Sequence, residues 1–382
     1  MKQKLLLASI MLFLLNLAMF GQQNDTTHAK SVFKPSGNLW GYAFGDVLYK
    51  AHTNSLNMTN TQYASTLKDF TSLEFRRIYL GYDYNISEKF ATQLLLAYDG
   101  STTTSDGNRA FYIKSANIRW KNIFHNSDLV FGQTATPTFA TTSEPIWGYR
   151  SLEKTIMDMR KIGGANDVGL SLQGKFNDAG DYGYTLMVGN GSGAAVETNK
   201  FKKFYGDVYA KFMDQKLIID LGADNEVGQV TPYHKSKNTV KGMVAYQTPM
   251  FTVGVEAFEQ IQKNNTIFTD AAARPDTANA VAAGISIFAR GSLIKDKLGF
   301  AIRYDNYNPD TKFSSSNTYK ATYTFFKESF FLVGLDYMPV KNVHIMPNLW
   351  YNAYSNKATA QNNLAKNSND MALRLTVYYI FK

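Results

Sequence analysis

The sequence of 382 residues contains no cysteine. Disulfide frameworks, thiol catalysis and cysteine-ligated metals are therefore excluded. Also absent are a Gly-x-Ser-x-Gly nucleophile elbow and a phosphate-binding loop ending in Gly-Lys-Ser/Thr. There are five histidines, and no two of them have the spacing of a metal-binding pair. They are His28, His52, His125, His234 and His344. We therefore predict no enzyme activity, no metal site and no cofactor.

Long apolar runs are also scarce, since the sequence has one, Leu5–Phe20. It follows two lysines and ends near Gly21, which is the pattern of a cleaved secretory signal peptide. The alternative is an N-terminal membrane anchor, but the run is short for a span of about 20 residues. We predict a signal peptide over 1–21, a polar lead-in over 22–38 and an exported mature chain.

The residues that the sequence does contain are often aromatic or polar, and the chain is mildly basic overall. Aromatic residues make up 14%, and 40 Lys and Arg against 31 Asp and Glu give a net charge of +9. No later stretch is apolar enough for a transmembrane helix, so a role in a membrane requires strands. The mild positive excess is compatible with anionic solutes, with lipopolysaccharide or with no specific partner, and export argues against nucleic acid.

Alternation of apolar and polar residues is the main pattern of the mature chain. Successive side chains of a strand point to opposite faces, so each alternating segment has one apolar and one polar face. In the last segment the polar face holds Arg374 and Thr376. Its apolar face holds Leu373, Leu375, Val377, Tyr379 and Phe381. Such segments start near 39, 73, 89, 110, 128, 167, 182, 204, 216, 240, 251, 280, 297, 328, 342 and 371.

The connections between these segments alternate between short and long. Long connections lie near 51–72, 100–109, 135–166, 190–203, 227–239, 263–279, 306–327 and 355–370. The alternation predicts an all-β protein: a transmembrane antiparallel up-and-down β-barrel of about sixteen strands over 39–382, in a Gram-negative outer membrane, with short periplasmic turns and long external loops. A soluble β-sandwich or a β-solenoid is the alternative, but we see neither domain linkers nor a fixed short repeat.

The third long connection, 135–166, is the one large insertion in this regular pattern. Leu152, Ile156 and Met159 fall at i, i+4 and i+7, which predicts one apolar face of a short helix packed on the barrel wall. We expect this loop to fold into the barrel and to set the width and charge of the pore. Its candidate constriction charges are Glu144, Arg150, Glu153, Lys154, Asp158, Arg160 and Lys161.

Further candidates come from the polar faces of the strands. They are the lumen-facing charges Arg77, Asp83, Arg119, Lys175, Arg303 and Arg374, with Asp305 beside them. Each has two interpretations, a group that meets the permeating solute or a solvated lumen residue paired with a neighbour.

Short motifs follow one another from Phe131 to Gly191. They are Phe131-Gly132-Gln133, Pro137, Ser143-Glu144, Trp147-Gly148-Tyr149-Arg150, Asp167-Val168-Gly169, Leu172-Gln173-Gly174 and Val188-Gly189-Asn190-Gly191. In this order they resemble the phosphate-selective porin O/P family of Gram-negative outer membranes, in particular its Bacteroidetes-type members. The resemblance implies a sixteen-stranded barrel, often trimeric, with the third external loop folded inward. The family's dense ladder of lumen arginines does not map onto this sequence.

Three functions remain open at this stage. The first is a passive diffusion channel for small hydrophilic solutes, leaning towards anions or phosphate. The second is a plugged surface-binding or structural barrel, and the third is a barrel enzyme that uses His52 or His234. The expected partners are outer-membrane lipid and lipopolysaccharide, a small solute, further copies in a homotrimer, and the insertion machinery that reads a final strand ending in an aromatic residue.

Overall fold

The computed structural model describes residues 33–54, 66–100, 102–228, 234–269, 275–313, 327–355 and 369–382. The predicted signal peptide and most of the lead-in lie outside these residues. The strands are β1 (Ser36–His52), β2 (Thr71–Asn85), β3 (Phe90–Tyr98), β4 (Tyr112–Phe124), β5 (Ser127–Ala135), β6 (Asn166–Lys175), β7 (Tyr182–Gly189), β8 (Lys203–Phe212), β9 (Leu217–Val227), β10 (Ser236–Gln247), β11 (Phe251–Thr269), β12 (Pro275–Ile294), β13 (Leu298–Asn308), β14 (Lys327–Val340), β15 (Val343–Ser355) and β16 (Asn369–Phe381). Two short helices, α1 (Ser143–Trp147) and α2 (Ile156–Met159), lie between β5 and β6. Neither helix is long and apolar enough to cross a membrane.

The sixteen strands form one closed antiparallel barrel. Each strand pairs with its neighbours in chain order, and β1 also pairs with β16, from Gly41 opposite Phe381 to His52 opposite Met371. Closure gives every strand two partners, as the interior of a lipid bilayer requires. The predicted sixteen-stranded up-and-down barrel is therefore confirmed, and each strand begins within five residues of its predicted start.

One predicted connection is mostly strand. The long loop expected over 263–279 is wrong, because β11 continues to Thr269 and β12 begins at Pro275. The two strands pair through Phe268 opposite Asp276. This part of the hairpin is rich in Asn, Thr and Ala, so it lacks the apolar alternation by which strands were recognised in the sequence.

Side chains alternate between the two sides of the wall as the sequence predicts. In β16, Leu373 and Leu375 are 43% and 38% exposed, whereas Arg374 and Thr376 are 4% and 0% exposed. The outer surface is thus apolar, and the polar positions point inward. An apolar outer band around a closed barrel is the architecture of a multi-pass outer-membrane β-barrel.

Several strand pairings contain a bulge or irregularity, and two of these bulges determine where basic side chains point. The pairing of β2 with β1 skips Arg76, and the pairing of β4 with β3 skips Lys114. A bulge places one extra residue in its strand and re-aims side chains. Arg76 and Arg77, although adjacent, consequently both point to the inside of the barrel, as do Lys114 and Ser115.

Candidate pore constriction

Residues 136–165, which connect β5 to β6, fold back on themselves. Helix α1 ends at Trp147, and Gly148 follows with a φ of 69°, a left-handed conformation that glycine adopts without strain. The Trp147 side chain is buried, and its indole nitrogen donates a hydrogen bond of 2.7 Å to the carbonyl of Glu153. The return of the chain after Gly148 brings residues 150–160 alongside α1.

The helix predicted from the spacing of Leu152, Ile156 and Met159 is wrong in extent, because only Ile156–Met159 is helical. All three side chains are nevertheless buried, Leu152 and Met159 in one apolar cluster and Ile156 in another. The carbonyls of Leu152 and Lys154 accept hydrogen bonds from the barrel wall. Since these carbonyls are already bound, the segment before Ile156 does not need helical hydrogen bonds to be satisfied.

Four arginines of the wall donate hydrogen bonds to backbone carbonyls of this segment. We call them the arginine clamp. The pairs are Arg290 with the carbonyl of Ile146, Arg76 with Ser151, Arg374 with Leu152 and Arg303 with Lys154. The donors lie on β12, β2, β16 and β13, so the segment is attached to distant parts of the wall. Hydrogen bonds from charged donors are stronger than neutral ones, typically ~1.5–3 kcal/mol each.

Two wall carboxylates form ion pairs with three of the clamp arginines. Arg76 Nε lies 2.6 Å and Arg374 Nη1 lies 3.6 Å from Oδ2 of Asp46. Arg303 Nη2 lies 2.5 Å from Oδ2 of Asp305. All five side chains are buried. The predicted lumen charges Arg303 and Arg374 are therefore buried supports of the segment 136–165.

An apolar cluster joins the segment to the inner face of the wall. Trp147 and Leu152 pack in it with Phe288, Phe330 and Trp350 of β12, β14 and β15. The rings of Trp147 and Phe288 meet edge to face with centroids 5.3 Å apart. Each such side chain contributes about 1.5–3 kcal/mol when it is buried. Burial of the cluster thus fixes the segment against one side of the barrel.

Strands β1 to β4 carry a polar inner face near their short-turn ends. Asp83 of β2 accepts hydrogen bonds from the Trp40 indole, at 2.8 Å, and from the Gln93 amide, at 2.9 Å. Ser115 donates to Gln93 at 3.0 Å, and Asn117 donates to Ser115 at 3.0 Å. Asp83, a predicted lumen residue, therefore belongs to a hydrogen-bonded polar wall formed by β1 to β4.

Two other predicted lumen charges, Arg119 and Lys175, have different surroundings. Arg119 Nη1 lies 2.8 Å from Asp128 Oδ2, and its Nη2 donates to Gln173 at 2.9 Å. This pair is about one third exposed. Lys175 is exposed at the short-turn end of β6. Neither contacts residues 136–165 in the structure.

Four of the seven predicted constriction charges lie together. Arg150 forms ion pairs with Glu144 and with Asp158, whose Oδ2 is 2.7 Å away, and Lys154 Nζ lies 3.9 Å from the Asp158 carboxylate. Burial acts to raise the pKa of Asp158, but Arg150 and Lys154 outweigh it and lower that pKa below its ordinary value. Burial acts to lower the pKa of Arg150, and the two carboxylates raise it well above its ordinary value.

The remaining three predicted charges lie elsewhere. Arg160 is buried, pairs with Glu328 of β14 and donates to Asn352 at 3.3 Å. Glu153 is buried and accepts a hydrogen bond from the backbone of the next residue at 3.0 Å. Lys161 is exposed, with a φ of 56°. Of these three side chains, Arg160 therefore pairs with the wall, Glu153 is buried and bonded within the segment, and Lys161 is exposed at the surface.

A cavity of about 200 Å³ lies between the segment and strands β2 and β4. Its charged lining consists of Arg77, Lys114, Arg150, Lys154, Asp99 and Asp158. Four basic groups thus face two acidic ones. Arg77, a predicted lumen residue, is therefore brought together with Arg150, Lys154 and Asp158 of the predicted constriction.

Among the charged and aromatic residues of this cavity, sequence reasoning missed four, Tyr79, Asp99, Tyr112 and Lys114. Simple alternation assigns Lys114 to the lipid-facing side of β4, and the bulge reverses that assignment. The two tyrosines occupy inward positions, but aromatic residues in membrane barrels are also expected at the membrane interfaces. An interruption of the alternation at 113–115 was the available signal for the bulge.

The glycine-rich stretch after β7 completes the rim of the cavity. Gly193 lines it beside Asn166. The buried Asp167 carboxylate accepts hydrogen bonds from the Gly191 backbone, at 2.7 Å, and from the Tyr205 hydroxyl, at 2.9 Å. Gly191 has a φ of 82°, which a side chain would strain. The stretch is thus a turn folded around Asp167.

No three His, Asp or Glu side chains among the described residues are grouped to hold a metal ion. His344 Nδ1 lies 2.9 Å from Asp336, and His125 Nε2 lies 3.0 Å from Asp178. His52 contacts a backbone carbonyl of β16. His28 lies outside the described residues.

Several solved structures are similar to this barrel. The outer membrane channel DcaP of Acinetobacter baumannii aligns with a TM-score of 0.66 and 13% identity, over 93% of this chain and 100% of that chain. An anion-selective porin from Comamonas acidovorans gives 0.59 and 11%, over 91% and 100%. The trimer form of in-vitro folded OmpT, an outer membrane protein of Vibrio cholerae, gives 0.53 and 11%, over 91% and 99%.

These likenesses show that the chain has the fold of outer-membrane porins. At such low identity they show the fold alone, because one fold supports different functions. No model of a known protein family matches the chain, and no curated protein matches its sequence. The phosphate-selective O/P family predicted from the motifs is therefore not confirmed.

Proposed function

We propose that this protein is an outer-membrane porin, a passive diffusion channel for small hydrophilic solutes that favours anions. One observation carries the proposal. In a closed barrel, strands β2 and β4 and the segment 136–165 border a cavity whose lining has four basic and two acidic groups. Charged groups at a narrow point of a pore determine which ions pass.

Residues 136–165 act as the constriction in this proposal, as an external loop folded into the lumen. The arginine clamp supports this role, because its donors come from four strands and point to the inside of the barrel. The apolar cluster around Trp147 supports it as well, since its wall residues are inward-facing. The open path then runs between the segment and β2 to β4.

The preference for anions follows from which charges remain uncompensated. Arg150 is neutralised by Glu144 and Asp158. The lining also holds Arg77, Lys114, Lys154 and Asp99, so that with Glu144 included four cations stand against three carboxylates, an excess of one positive charge. Phosphate specificity is not part of the proposal, because Arg303 and Arg374 hold the segment in place and are buried with carboxylates.

A plugged barrel that acts through its surface is the second candidate. The apolar cluster favours it, because the inward-facing side chains of Phe330 and Trp350 are fully buried together with Trp147. The two candidates differ in a single property, which is whether ions pass through the folded protein.

The test is the single-channel current of purified, heat-modifiable protein in a planar bilayer under a salt gradient. A channel gives discrete conductance steps, and an anion preference gives a reversal potential shifted towards the anion's equilibrium value. Steps without a shift would leave an unselective porin. Silence from folded protein would favour the plugged barrel.

A further inference from the structure

The cavity beside the segment 136–165 contains polar donors that the protein itself does not use. Of its four cations, Arg150 is paired with Glu144 and Asp158, and Arg77 donates to the backbone carbonyls of Arg76 and Asp99. These two guanidiniums are thus engaged with the protein. They shape the site electrostatically but have fewer hydrogen atoms left for a ligand.

Lys114 and Lys154 are in a different position. Among the residues that the structure describes, Lys114 is in no ion pair, and its ammonium lies 5.8 Å from the ring centre of Tyr79. The ammonium of Lys154 reaches Asp158 only at 3.9 Å, which is beyond hydrogen-bond distance. Each ammonium group carries three donors, so both have hydrogen atoms available to a bound group.

The hydroxyl of Tyr79 adds a neutral donor to the site. Tyr79 lines the cavity and is 1% exposed, and within the described part of the chain its hydroxyl has no hydrogen-bond partner. A buried hydroxyl without a partner loses its bonds to water and gains none in return. Such a group is uncommon in a folded protein and points to a ligand or water that it binds.

From these groups we infer that the cavity is a binding site for the carboxylate group of a small solute, with Tyr79, Lys114 and Lys154 as its donors. The inference rests on the proposed channel function and gives it a substrate class. Permeation of small carboxylates is then saturable, since each one stops at a site inside the pore. A volume of about 200 Å³ leaves room for a short organic acid and a few waters.

The two acidic residues of the lining favour a carboxylate over phosphate. Asp99 and Asp158 both border the cavity. They tolerate a ligand with one negative charge, whereas inorganic phosphate carries between one and two at neutral pH and meets stronger repulsion. The donor set is also small, one hydroxyl and two ammoniums, which matches the two oxygens of one carboxylate.

The experiment measures single-channel conductance of the full-length protein against concentration in potassium acetate, potassium phosphate and potassium chloride. The wild-type protein is expected to saturate in acetate at lower concentration than in phosphate. In the variant Tyr79→Phe, the half-saturating acetate concentration is expected to rise about tenfold, as for the loss of a hydrogen bond to a charged group. Lys114→Met is expected to abolish saturation in acetate.

Matched controls use residues of the same type away from the cavity. Tyr209→Phe on the inner face of β8 and Lys175→Met at the short-turn end of β6 are expected to keep the wild-type acetate curve. Heat-modifiable migration on gels establishes that each variant is folded.

Three results would overturn the site while leaving the channel intact. They are a conductance linear in acetate for wild type, an unchanged acetate curve in Tyr79→Phe, and saturation by phosphate at or below the acetate concentration. Absence of current in every salt would instead overturn the channel itself.

Discussion

At the scale of single residues, the charge of Asp158 is the feature most directly linked to ion preference. Its carboxylate lies in the cavity beside Arg150, so it offsets part of the basic excess. Asp158→Asn is expected to strengthen the preference for anions at pH 7, measured as the reversal potential in a salt gradient. An equivalent change at an exposed turn, Asp178→Asn, is expected to leave the reversal potential unaltered.

The difference in ion preference between wild type and Asp158→Asn depends on pH through the lowered pKa of Asp158. A lowered pKa keeps the carboxylate ionised as pH falls through the ordinary Asp range near ~3.9. Its stabilising ion pair is therefore fully present above that range and lost only as pH falls through the lower folded-state pKa. Wild type and Asp158→Asn should converge below about pH 4. Convergence at pH 5 to 6 would show that Arg150 does not hold this pKa down.

Leu375 tests the assignment of side chains to lipid. It lies at the middle of β16 and faces outward, 38% exposed. Leu375→Arg is expected to cost about 2–4 kcal/mol of folding free energy in a bilayer, because an arginine near the midplane loses its hydration. Leu39→Arg, near the short-turn end of β1, should cost about 0–1 kcal/mol. Urea titrations in lipid vesicles measure both, and equal costs would contradict the assignment.

At the scale of elements, the arginine clamp relates the wall to the segment 136–165. Arg303 illustrates its two tasks, since it pairs with Asp305 and donates to the carbonyl of Lys154. Removing one partner of a buried ion pair is strongly destabilising, whereas replacing both by apolar residues is often neutral. One single and one double variant can therefore separate the effect of the ion pair from the effect of the hydrogen bond to Lys154.

Arg303→Met is expected to lower the free energy of unfolding by about 3–5 kcal/mol, because it leaves Asp305 buried without its cation. The double variant Arg303→Met/Asp305→Leu should recover most of that loss. Both variants should show larger or noisier conductance steps, because each loses the bond to Lys154. Arg119→Met, which breaks a partly exposed pair, should cost ~1 kcal/mol or less. If the double variant gave conductance steps of wild-type size and noise, the proposed role of the arginine clamp in holding the segment would be contradicted.

The two bulges show how an element determines the chemistry of the site. Arg76 enters the clamp and Lys114 enters the cavity, and both do so because a strand carries one extra residue. In a regular strand each would face lipid, where a charged side chain is costly. A local irregularity in pairing thus supplies two of the cations on which the proposed pore depends.

At the scale of the whole molecule, the segment 136–165 completes an apolar core with the wall, and in the proposed function it also narrows the lumen. Deleting residues 145–160 removes Trp147 and Leu152 from the apolar cluster and takes Lys154 and Asp158 from the cavity. The deletion is expected to raise single-channel conductance and weaken anion preference. It should also lower thermal stability, read from the temperature of the gel-mobility shift. A folded deletion variant without current would favour the plugged barrel.

Assembly into a homotrimer remains a prediction, and the Vibrio cholerae neighbour is described in a trimer form. In a homotrimer of porins, current steps come in groups of three. The mass of the detergent-solubilised protein by light scattering, corrected for detergent, measures the state directly. A monomeric mass together with single steps would contradict the prediction.

The sequence alone determined the barrel. Alternation with a period of two recurs about sixteen times, and in a regular strand a side chain's side of the wall follows from its position along the strand. The last strand was therefore assigned correctly to lipid and lumen, from Leu373 to Thr376. The sequence also located the insertion at 135–166, because an unpatterned segment is conspicuous among regular strands.

Only the tertiary structure decided what the inward charges do. From the sequence, Arg303 and Arg374 are predicted to be pore charges. In the structure they donate hydrogen bonds to carbonyls of the segment 136–165, which is distant from both in sequence. Lys114 looks lipid-facing, and a bulge in its pairing with β3 turned it inward. Alternation is a property of neighbouring residues, whereas partners across a barrel depend on how the closed sheet brings distant segments together.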